Sequence, residues 1–146
     1  MHVKLLHAAP ALVVVLALAT AGCAVGPRPT AGRSDVQVTL TDFLIEAVPQ
    51  TVPAGEVRLA VTNNGDTLHE VEVFTLPAGI DAAGLTVTNN VADTASAGMT
   101  VVDEVEGIIP GGTPSLTVNL PAGRYALICN LPTHYGLGMH STLTVE

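Results

Sequence analysis

Three side chains with metal-binding chemistry follow one another near the C-terminus: Cys129, His134 and Met139, with four residues in each gap. A thiolate, an imidazole and a thioether are ligands that soft or borderline transition metals prefer, above all copper. Tyr125-Ala-Leu-Ile-Cys129 is aromatic and aliphatic and rises from the turn Pro121-Ala-Gly123, which predicts a strand. After Met139, Leu143 and Val145 alternate with Thr142 and Thr144, which predicts a second. The three candidate ligands therefore fall on a short loop between two strands. Such a loop can wrap one metal ion if a further ligand comes from elsewhere.

That ligand is available at His69. Of five histidines, His2 and His7 lie in an apolar leader, and His134 and His140 flank Met139. His69 shares a strand face with Val71 and Val73 by period-two alternation, while Glu70 and Glu72 are expected on the opposite, wet face. A histidine in phase with an apolar face points into a core, where it must be hydrogen-bonded or metal-bound. The same alternation turns His140 away from Met139, so His140 is not expected to be a ligand.

His69 with Cys129-x4-His134-x4-Met139 resembles the type 1 copper site of the cupredoxins, the blue copper proteins. The loop spacing is most similar to that of the rusticyanin and sulfocyanin-like members. The resemblance covers nearly all of residues 35–146. It implies an all-β, Greek-key β-sandwich of about seven to eight strands, one copper ion and one-electron transfer. It also implies that His69, Cys129 and His134 form a trigonal set with Met139 as the weak axial ligand. One departure stands out: where many members carry a small or amide residue after the first histidine, this chain has Glu70. Hydrogen bonds near the cysteine sulfur tune the reduction potential, so that is where the departure bears.

Composition bounds the rest. The 146 residues allow one domain with a real core, and with 48% hydrophobic but 3% aromatic residues that core must be aliphatic. Residues 1–22 have a basic start at Lys4, an apolar run and small residues before Cys23, which predicts a secretory signal of the lipoprotein type with Cys23 as the lipidated residue. Residues 23–34, rich in Pro, Gly, Thr and Arg, then form a lipid-anchored tether, and residues 35–146 the copper domain. Without the leader, four arginines face 13 acidic residues, a net charge of −9. So acidic a chain is a poor partner for nucleic acid and a good one for a basic docking protein. With Cys23 lipidated, Cys129 has no disulfide partner, and metal ligation accounts for its retention in an exported chain.

Asp35–Leu40 alternates as a first strand that Phe43–Ile45 continues; Val57, Leu59 and Val61 form the inner face of another, and Leu116, Val118 and Leu120 of a third. Residues 76–113 are broken by Gly, Pro and Asn89-Asn90, with short strands expected near 85–87, 100–102 and 105–109 and a helical turn at 91–97.

The expected function is a monomeric, mononuclear copper protein that passes single electrons between redox partners at the outer face of the cytoplasmic membrane or in the periplasm. The alternative is an extracytoplasmic copper-binding or delivery module without a redox role. A delivery site favours exchangeable, Met-rich ligands, and the chain has three methionines, Met1 among them. An oxidase or reductase needs further histidine clusters, so no enzyme is expected. A small apolar patch around His134, made of Leu131, Pro132, Tyr135 and Leu137, is the expected exit for the electron.

Overall fold

The structure, a computed structural model, describes residues 32–146. The leader, Cys23 and most of the tether lie outside the described residues. In chain order the strands are β1 (Ser34–Thr41), β2 (Leu44–Val48), β3 (Thr51–Val52), β4 (Gly55–Asn63), β5 (His69–Thr75), β6 (Val87–Thr88), β7 (Val91–Ala92), β8 (Thr100–Ile108), β9 (Ser115–Leu120), β10 (Gly123–Ile128) and β11 (His140–Val145). One helical turn, α1 (His134–Leu137), interrupts the last connection. Eight of the strands have five or more residues, while β3, β6 and β7 have two each. The total of eleven exceeds the expected seven to eight because of these short pairings, which no periodicity can announce.

The strands form two facing sheets, ordered β2-β1-β4-β9 and β3-β11-β10-β5-β8, with β6 and β7 as a separate ribbon. The chain changes sheet between β2 and β3, β3 and β4, β4 and β5, β8 and β9, and β9 and β10, which makes a β-sandwich with crossed connections. Inward positions come from the alternation read in the sequence. Val36, Val38 and Leu40 of β1, Val57, Leu59 and Val61 of β4, and Val71 and Val73 of β5 are all buried in one core. Burial of each large aliphatic side chain contributes about 1.5–3 kcal/mol. Tyr125, at the start of β10, donates from its hydroxyl to the carbonyl of Pro121 at 2.8 Å, tying the β9–β10 corner.

Three expectations need correction. Phe43–Ile45 does not continue β1. The chain turns at Asp42-Phe43, and β2 returns antiparallel along β1 with Leu40 opposite Ile45. Residues 91–97 turn only in their second part: Val91–Ala92 form β7, paired through a tight hairpin in which Asn89 and Asn90 take positive φ (53° and 68°), and the turn follows at 94–98, where the N–H of Gly98 donates to the carbonyl of Ala95 at 3.0 Å. Residues 100–102 and 105–109 do not form separate strands, since a single nine-residue strand, β8, runs through both.

Candidate metal centre

Each candidate ligand is placed by a different local device. His69 opens β5 beside a bulge, where its partner is Ile108 but the next registered pair is Val71 with Val105. Gly107, with φ +65°, supplies the left-handed residue that the bulge requires. Cys129 directly follows β10. Its N–H donates to the carbonyl of Met139 at 3.1 Å, and the N–H of Met139 donates to the carbonyl of His134 at 3.1 Å. The loop from Cys129 to Met139 is thus closed on itself. Gly138, with φ +123°, ends the helical turn on which His134 sits.

The result is a convergence of three donor atoms. The Nδ1 atoms of His69 and His134 are 3.2 Å apart, and Cys129 Sγ lies 3.4 Å from His134 Nδ1 and 3.9 Å from His69 Nδ1. A triangle with those sides has a circumradius of about 2.0 Å, close to metal–imidazole and metal–thiolate bond lengths of roughly 2.0–2.3 Å. One ion at its centre would meet all three donors without rearrangement. His69 and Cys129 are fully buried, and His134 is part-exposed. Met139 is also fully buried, in the same core cluster as Cys129, and is held to the other two loop ligands by its backbone bonds. His140 lies outside the cluster, its ring tilted on that of Tyr135 at 5.3 Å.

Burial pushes the Cys129 thiol up to about 11 and lowers His134, the latter helped by the neighbouring His69. A thiolate here therefore needs a compensating cation. Across the triangle, Phe43 sets its ring edge-on to His134 at 4.9 Å and to His69 at 6.3 Å.

Two corrections concern the surroundings. Glu70 and Glu72 do not face water freely. The long connection from Leu76 to Met99 folds back over the outer face of the β5 sheet, where Phe74, Leu76, Leu85, Met99, Ile128 and Tyr135 form a second core. Under that cover Glu70 is buried and accepts the N–H of Asn130 at 2.9 Å. Glu72 is half-buried, and one of its carboxylate oxygens has no partner among the described residues. Desolvation, with the charges of Glu70, Glu104 and Glu106, raises it to about 7. Tyr135 likewise leaves the expected surface patch. It is buried in the second core, donating to the carbonyl of Ala82 at 2.7 Å and accepting the N–H of Leu85 at 2.9 Å.

Sequence reasoning missed Asp42 and Phe43. The trace of them is weak: Asp42 follows the alternation of β1 at the point where it stops, and nothing in a one-dimensional pattern links it to a histidine 27 residues on.

A family model of copper binding proteins, the plastocyanin/azurin family, matches residues 36–146. Auracyanin A, described as a "blue" copper protein from the green thermophilic photosynthetic bacterium Chloroflexus aurantiacus, shares the fold with a TM-score of 0.55 at 23% identity, over 79% of this chain and 100% of that one. Reduced rusticyanin gives a TM-score of 0.55 at 20% identity, over 78% of this chain and 79% of that one. In sequence, the iron uptake system component EfeO of Escherichia coli K12 is 29% identical over 99 residues, 68% of this chain. The matched segment spans 20% of EfeO's own length.

Proposed function

Because this chain belongs to the plastocyanin/azurin family of copper-binding proteins, we propose that it is a mononuclear type 1 copper protein that carries single electrons. His69, Cys129 and His134 would hold the ion, with Met139 as a further, weaker ligand. The observation that carries this is the donor triangle, whose size suits one ion and whose pair of imidazole nitrogens with one thiolate sulfur suits copper. Bound there, copper would supply a one-electron couple. The chain's own part is to bury the site, hold the donors on strand ends and a closed loop, and so keep their geometry the same in both oxidation states.

The exit for the electron is the part-exposed imidazole of His134. Beside it Leu137 is 57% exposed, and Pro132 and Gly136 are exposed. Leu68, next to His69, and Ile109, next to the partner of His69, are exposed at the same end of the sandwich. A small apolar face of this kind suits a transient redox encounter. The leader residues support export and anchoring through Cys23 at the outer face of a membrane, with donor and acceptor proteins near that membrane.

A second reading, an extracytoplasmic metal-handling module without a redox role, draws on the likeness to EfeO. The full burial of His69 and Cys129 disfavours it, since ligands sealed from water exchange a metal slowly. The test is visible absorption and EPR of the copper-loaded protein beside Cys129→Ser. An intense thiolate-to-copper band that the substitution abolishes is expected. A weak tetragonal spectrum indifferent to Cys129 would hand the function to the second reading.

A further inference from the structure

The β1–β2 turn delivers a carboxylate to the back of a candidate ligand. Asp42 Oδ1 lies 2.7 Å from His69 Nε2, the ring nitrogen opposite the one in the donor triangle. Asp42 is itself fixed: its Oδ2 accepts the N–H of Asp66 at 2.9 Å, and its Oδ1 accepts the hydroxyl of Thr67 at 2.8 Å. Gly65 makes room for this arrangement. A Cβ on Gly65 would run into the Asp42 carboxylate and come within 3.0 Å of His69 Nε2.

We propose that Asp42 is a positioning residue for the metal centre, which holds His69 as the Nε2–H tautomer and sets the reduction potential through its negative charge. The inference rests on the copper reading for the second half and on geometry alone for the first. A neutral imidazole has one N–H and one lone pair, so an acceptor on Nε2 commits the proton there and leaves the Nδ1 lone pair for the ion. Acceptors in this position also make the ligand more basic, and their loss typically lowers metal affinity about 10–100-fold. A full negative charge behind the imidazole stabilises the more positive oxidised site more than the reduced one, and so lowers the potential. Phe43, the next residue, packs against both imidazoles, so the turn that presents Asp42 also closes the site.

Three variants separate the contributions. Asp42→Asn retains an oxygen that can accept from Nε2–H and removes the charge. Asp42→Ala removes the acceptor. Gly65→Ala keeps the charge but displaces the carboxylate. The Nε2–H signature of His69 in 15N NMR of the metal-free protein at pH 8 is expected in the wild type and in Asp42→Asn, and is expected to be lost in Asp42→Ala and Gly65→Ala. With copper, Asp42→Asn is expected to raise the potential. A tenfold loss of Cu(II) affinity beyond that of Cu(I) corresponds to about 59 mV for one electron. A wild-type tautomer signature in Asp42→Ala and Gly65→Ala together with an unmoved potential in Asp42→Asn would overturn the proposal. Because the tautomer is read without metal, a failure of Asp42 to orient His69 is distinguishable from a failure of the site to form a thiolate–copper centre.

Discussion

At the scale of single residues, the chemistry is decided by how far burial changes what each donor costs to use. Cys129 sits in the hydrophobic core with its thiol pushed up to about 11, so at neutral pH it is protonated until a cation replaces the proton. Metal loading should therefore release close to one proton from this residue. Below that value apparent affinity should fall about tenfold for each unit by which the pH is lowered, as far as this group governs it. Calorimetric titration with copper in buffers of different ionisation enthalpy measures the proton directly. Release near zero would mean that Cys129 is not a ligand, in agreement with a spectrum unchanged by Cys129→Ser.

At the scale of elements, β5 has a different task on each face. Inward it presents His69, Val71 and Val73; outward it presents Glu70 and Glu72, with Glu104 of β8 directly opposite Glu72. Like charges facing across a ladder are destabilising, and the connection from Leu76 to Met99 adds desolvation. Glu72 titrates at about 7 in the folded protein against 4.5 for a free glutamate side chain, so the folded protein retains this proton over an interval where the unfolded chain has lost it. Stability from Glu72 is then fully present below about pH 4.5 and is lost as pH rises through about 7. The full shift corresponds to about 3 kcal/mol, reduced to roughly 1–2 kcal/mol by solvent screening of a half-buried side chain. Glu72→Gln should remove most of that loss. Urea melts at pH 5 and pH 8 check it: the variant should be about as stable as the wild type at the lower pH and more stable at the higher. Equal losses in both proteins would place the repulsion elsewhere.

At the scale of the whole molecule, the sandwich keeps its acid-rich outer face on the β5–β8 side and its apolar end around the metal centre. Exposed Leu68, Ile109 and Leu137 surround that end, and a charge placed among them should disturb docking without touching the ligands. Leu137→Lys is expected to slow electron exchange with a redox partner by about tenfold, the cost of roughly 1.4 kcal/mol in the encounter, and to leave the copper spectrum unchanged. Stopped-flow reduction by the partner tests this, since equal rates would move the exit away from His134.

The strands that position the site were legible because their period-two alternation has to match a sandwich with one buried face. The inward set of β1, β4, β5, β9 and β11 follows from it residue by residue. The four candidate ligands were legible for a related reason: three lie within one loop, and the fourth is a histidine in phase with a strand's apolar side. Chain order alone carries no information about pairings across long separations. The reversal at Asp42-Phe43, the return of residues 76–99 over the outer sheet face, and the burial of Glu70 and Tyr135 all depend on what packs against an element, not on its own pattern. For that reason the residues that could do the chemistry were determined by sequence, whereas the carboxylate behind His69 and the cover over the acidic face were decided by the tertiary structure.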